Sequence, residues 1–126
     1  MSNDNKIARL VDSFYRKTSA GEIIWQSETG DLMCVVNGLV ATLSKNSNPF
    51  GETIFEIKLY DKGGKFALSI TDEHEDLRGL PSPFAGHENY FATMSLLYSM
   101  AERQASGIDE TLDTFVDALD DEHVPF

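Results

Sequence analysis

With 126 residues, 41% of them apolar, and a net charge of −11, the chain suits one domain with its own core and excludes wholesale disorder. A single cysteine, Cys34, excludes an internal disulfide and with it the profile of a small secreted scaffold. The opening residues lack the basic start and apolar stretch of a signal peptide. The longest apolar runs fall far short of the ~20 residues that span a bilayer. The sequence therefore reads as a soluble, cytoplasmic single domain over residues 1–126.

The charge is unevenly placed. Residues 1–66 hold eight basic and eight acidic side chains, whereas residues 67–126 hold two basic residues, Arg78 and Arg103, and thirteen acidic ones. Such a field repels phosphate backbones and anionic membranes and attracts basic protein surfaces. The expected partner is a protein with a basic surface, or self, with no direct nucleic-acid or membrane binding.

In chain order, Ile7, Leu10, Val11 and Phe14 fall at helical spacing and predict a first helix, with Asn3 or Asp4 as its cap and Gly21 just past its end. Glu22 to Gln26 is β-branched and aromatic and reads as a short strand. The apolar runs Asp31 to Val36 and Leu39 to Ser44 flank Asn37-Gly38, the strongest short hairpin signal, because both turn residues need positive φ. Residues 45–51 form a polar loop. Thr53 to Tyr60 alternates, with Phe55, Ile57 and Leu59 on one side and Glu56 and Lys58 on the other. After a turn at residues 61–64, Lys65 to Thr71 returns with Phe66, Leu68 and Ile70 alternating.

A long connection follows through Pro81, Pro83 and Gly86. Phe91, Met94, Leu97, Tyr98 and Ala101 then mark a helix that Ser106-Gly107 ends, and Ile108, Leu112, Phe115, Val116 and Leu119 mark another. The order predicts an α+β fold: an N-terminal helix, a four- to five-stranded antiparallel meander, and two C-terminal helices packed on one sheet face. The sheet's other face is left as solvated or as a partner site, and Glu56 and Lys58 favour solvation.

Two short motifs carry a resemblance. The stretch Lys17-Thr18-Ser19-Ala20-Gly21 before Trp25, and Gly107-Ile108-Asp109-Glu110-Thr111-Leu112-Asp113 opening the last helix, resemble a broad set of small uncharacterised bacterial proteins of helix–strands–helix order. The resemblance implies a bacterial or mobile-element origin and no particular chemistry.

Candidate chemistry is sparse. Asp72-Glu73-His74-Glu75-Asp76 gathers oxygen and imidazole donors, but neighbours on a loop seldom converge on one ion, so a small-ligand or metal site at residues 72–88 is a lesser alternative. His87-Glu88 stands before a helix, where Glu suits the dipole. Cys34 lies among Met33, Val35 and Val36, which suggests an inert buried thiol. No sequence motif implies a catalytic residue, a cofactor or a metal. Trp25, Tyr60, Tyr90 and Phe126 read as core or interface aromatics, and Phe84, on a proline-rich loop, either tucks onto the body or anchors a partner. Asp109, Glu110, Asp113, Asp117, Asp120, Asp121 and Glu122 surround the apolar stripe of the last helix without a basic residue among them. The expected function is a non-enzymatic acidic interaction module, such as an adaptor, inhibitor or immunity-type factor. Its partner-binding residues would be Asp109, Glu110, Asp113, Asp117, Asp120, Asp121 and Phe84. A homodimeric structural or chaperone-like role is the alternative.

Overall fold

The structure, a computed structural model, describes residues 5–28 and 30–121. Helix α1 spans Lys6–Ser19, and Asn5 caps it by accepting the Ala8 N–H at 3.0 Å. Asn3 and Asp4, the expected caps, lie outside the described residues. Five strands follow: β1 (Gln26–Glu28), β2 (Asp31–Val36), β3 (Leu39–Ser47), β4 (Thr53–Tyr60) and β5 (Phe66–Thr71). They form one antiparallel sheet in the order β1-β2-β3-β4-β5, the expected meander. Asn37 (φ 51°) and Gly38 (φ 82°) both take positive φ and close the β2–β3 hairpin. The strand β3 runs three residues further than its apolar pattern, to Ser47, because Asn46 and Ser47 still pair with Ile54 and Thr53.

The sequence expectation of a strand from Glu22 to Gln26 needs correction. Ile23 and Trp25 are buried but unpaired with a strand, because a side chain takes the place of a neighbouring strand. Gln104 Oε1 accepts the Trp25 N–H at 3.0 Å, and Gln104 Nε2 donates to the Ile23 carbonyl at 3.3 Å. The N–H groups of Glu22 and Ile23 both donate back to the Lys17 carbonyl. The ladder can therefore begin only at Gln26.

The register sets one face of the sheet toward the core. Leu32, Leu43, Ile57 and Ile70 are cross-strand neighbours in a single row, and all four are buried. Each such side chain contributes about 1.5–3 kcal/mol on burial. Val11 and Phe14 of α1 cover this face together with helix α2 (Tyr90–Ser106), which supplies Met94, Leu97 and Ala101. The opposite face carries Thr42, Ser44, Glu56, Lys58 and Ser69, all part-exposed.

A bulge between Leu59 and Tyr60 alters one further expectation. Leu59 pairs with Leu68 but Tyr60 pairs with Phe66, so Ala67 is the extra residue. Phe66 therefore leaves the face of Leu68 and Ile70 and joins Tyr60 on the other, with ring centroids 5.9 Å apart. With Val35 and Val40 these two rings make an apolar row at one end of the outer face.

Residues 72–89 bridge β5 to α2 and are pinned at several points. Leu77 is buried, Asp72 Oδ1 accepts the Phe55 N–H at 2.7 Å, and Asn5 Nδ2 donates to the Asp76 carbonyl at 2.7 Å. Helix α3 (Ile108–Asp121) follows α2 after Gly107, whose left-handed φ of 70° and ψ of 17° end the preceding helix. Helix α2 meets strands β1 to β4 directly, α1 packs on α2 and adds Val11 and Phe14 to the core, and α3 rests against α2.

Trp25 is fully buried, and its indole N–H donates to Thr18 Oγ1 at 2.9 Å. Replacing Thr18 by Val keeps the volume and removes the acceptor. Urea unfolding followed by Trp25 fluorescence should show a loss of about 1–3 kcal/mol, the usual consequence of a buried donor left unpaired.

Candidate protein-interaction surface

Helix α3 is well specified locally. Asp109 and Glu110 occupy its first turn, where negative charge offsets the helix dipole. Thr111 N–H donates to the Gly107 carbonyl at 3.0 Å, and the Arg103 guanidinium reaches Asp109 Oδ1 at 2.7 Å from the last turn of α2. The root of α3 thus has a fixed link to the body, made by one exposed ion pair and a short crevice in which Ile108 and Leu112 face Ser99 and Glu102.

Beyond that root, the apolar stripe is largely uncovered by the described residues. Ile108, Leu112, Phe115, Val116 and Leu119 are 47–66% exposed. On an ordinary surface helix such a stripe is the part that faces the core. At about 100° per residue, the five side chains lie within a sector of roughly 100°. Asp109, Asp113 and Asp120 border one edge of that sector, while Thr111 and Ala118 border the other. The helix therefore presents an apolar centre, one acidic flank, and one small uncharged flank.

The expected surface residues are placed as follows. Asp109, Glu110, Asp113, Asp117 and Asp120 are all exposed on α3, with Asp109 already paired to Arg103. Asp121 ends the helix; its side chain, like Glu122, His123 and Phe126, lies outside what the structure describes. Phe84 belongs to a different place. It is half-buried on α1, with its ring 4.5 Å from Tyr15 and 5.5 Å from His87, so the tucked alternative describes it.

The other candidates are held in structural roles. Asp72 accepts from Phe55, Glu73 Oε2 accepts from Asn48 Nδ2 at 3.1 Å, and His74 Nδ1 accepts the Asp76 N–H at 3.0 Å. These donors point to separate partners, and among the described residues no three His, Cys, Asp or Glu side chains converge. Burial raises the Asp72 carboxyl above its ordinary range, opposed by its bond from Phe55. His87 Nδ1 lies 2.9 Å from the buried Thr93 Oγ1, which in turn lies 2.6 Å from Ser82 Oγ, so the imidazole ties the proline-rich loop to α2. Cys34 is buried, and burial pushes its thiol up to about 12.

A second feature escaped the sequence reading. Between α1 and the β2–β3 hairpin end of the sheet lies an open cavity of about 400 Å³ with an almost wholly apolar lining. Leu10, Ser13 and Lys17 form its α1 wall, and Val36, Leu39, Leu59 and Tyr60 its sheet wall. Leu39 is exposed at this edge. The signal for it was the pairing of Leu10 with Lys6, Ser13 and Lys17 in one helical phase, a boundary between core and basic faces.

Among the described residues no helix is long and apolar enough to cross a membrane. Comparison with protein-family models, curated proteins and solved structures returns no match for this chain.

A thiol held neutral is a poor nucleophile, so Cys34 in the native protein should resist a thiol-specific reagent at pH 8. In denaturant, where its pKa returns to the ordinary ~8.5, one thiol per chain should react within minutes. Native-state labelling at the denatured rate would contradict the burial described here.

Proposed function

We propose that the protein is a non-enzymatic interaction module whose docking element is α3. The observation that carries this reading is the exposure of five large apolar side chains along one stripe of a well-formed helix. Their arrangement suits helix-in-groove recognition, in which anchors at i, i+4, i+7, i+8 and i+11 enter an apolar trough. The acidic flank adds steering toward a basic rim and disfavours nucleic acid and anionic lipid as partners. The surface thus differs from a purely electrostatic one: carboxylates orient and accelerate the encounter, and the stripe, with Phe115 near its middle, supplies the affinity. An adaptor, inhibitor or immunity-type role fits such a module.

The test is affinity capture from nuclease-treated lysate of the native host, at low and high salt. Phe115→Ser should weaken retention of the captured protein by about 2 kcal/mol or more, roughly thirtyfold. The double reversal Asp113→Lys, Asp117→Lys should weaken it at least tenfold at low salt and much less at high salt, where screening already removes the charge contribution. Retention indifferent to both sets of changes would overturn the reading.

A further inference from the structure

The exposed stripe of α3 and the cavity beside α1 are both apolar and are bordered by opposite charges. The cavity beside α1 has one wall of apolar sheet residues, including Leu39 and Leu59, and one wall formed by α1. On α1, Lys6, Leu10, Ser13 and Lys17 share a sector of about 60°, and Arg9 and Arg16 border that sector on its outer side. Lys17, which also pairs with Glu22 at 3.3 Å, lines the groove itself, and Lys6 lies about a turn before Leu10 on the same side of α1, so the helical rim of an otherwise apolar groove is basic. Helix α3 has an acidic flank and a small uncharged flank on either side of its stripe. Lys6 and Lys17 are eleven residues apart along α1, about 16 Å, and Asp113 and Asp120 are seven apart along α3, about 10 Å, so the acidic pair falls within the span of the basic row.

The root of α3 also lies close to the groove. Ile23 lines the cavity, and its carbonyl accepts from Gln104, three residues before the break at Gly107. A helix that leaves one copy beside its groove can enter the groove of a facing copy, and the reciprocal contact closes the pair with two-fold symmetry.

We infer that α3 docks in the α1–sheet groove of a second copy of this chain, the two copies exchanging their last helices. The inference rests on the reading of α3 as a docking helix and names its partner. The exposed stripe offers about 500 Å² per helix, so two exchanged helices would bury about 1,000 Å² of stripe alone, enough for a specific interface. The contacts are Leu112, Phe115 and Leu119 against Leu10, Leu39 and Leu59, with Asp113 and Asp120 facing Lys6 and Lys17.

Sedimentation equilibrium of the full chain at micromolar concentration tests this. The wild type should sediment at twice its 14.0 kDa. Phe115→Ser, which alters the helix, and Leu39→Asp, which alters the groove, should each weaken self-association at least tenfold. Both positions are exposed, and circular dichroism should show an unchanged fold for each monomer. Mixing the two variants is decisive: the intact helix of one meets the intact groove of the other, so a mixed dimer should form where neither variant dimerises alone. A monomeric wild type, a dimer indifferent to both substitutions, or variants that fail to complement would each overturn the exchange. Loss of capture by Phe115→Ser in a monomeric protein would leave the docking role of α3 standing and assign the groove to another protein.

Discussion

The burial of Trp25 constrains everything around it. Its ring packs against Phe14 at 5.6 Å, its indole N–H is satisfied by Thr18, and its backbone N–H is satisfied by Gln104. The end of α1 and the approach to β1, seven residues apart, are thereby fixed against the last turns of α2, 79 residues further along the chain. An indole buried without a partner for its N–H would forfeit part of what its burial gains. Here the two side chains that complete it are polar residues on the two helices that cover the sheet. Tyr90, whose hydroxyl donates to Asp12 at 2.9 Å, repeats the device at the other end of α2. The helical layer is thus keyed by directional bonds as well as by apolar contact.

Helices α1 and α2 supply the buried residues that cover the sheet, and α3, though amphipathic, supplies none. A 14-residue helix has only marginal stability alone in water. The Gly107 carbonyl that accepts the Thr111 N–H, the first-turn carboxylates and the Arg103–Asp109 pair hold the first turns of α3. The cavity beside α1 is the corresponding deficit on the other side: α1 turns its core face inward and leaves the Leu10–Lys17 edge overhanging the sheet.

Most of the architecture was legible in the residues. Asn37-Gly38, the alternation from Thr53 to Tyr60 and the break at Gly107 each encode local geometry, and each lies where the pattern places it. The failures share a cause, which is tertiary contact. Nothing near Glu22 to Gln26 announces that Gln104 will stand in for a strand, and nothing in the run from Lys65 to Thr71 reveals a register slip that turns Phe66 outward. The acidic face of α3 was visible, but its periodicity is the same whether the stripe is buried or bare. Only the placement of the other helices shows that the stripe has no internal partner. Phe84 was read as tucked onto the body or as a partner anchor, and its contacts with Tyr15 and His87 are tertiary ones that no local pattern announces.

The division between a keyed core and a projecting helix also separates two kinds of mutational pressure. Changes at Trp25, Thr18, Gln104 or the Leu32–Ile70 row act on folding and tolerate little. Changes at exposed positions on α3 stay within a few tenths of a kcal/mol in stability, as surface substitutions do. The sequence of α3 can therefore drift or be redesigned to suit a new groove while the scaffold stays intact. In the docking role proposed for α3, specificity would be carried by a segment that the stability of the fold does not police.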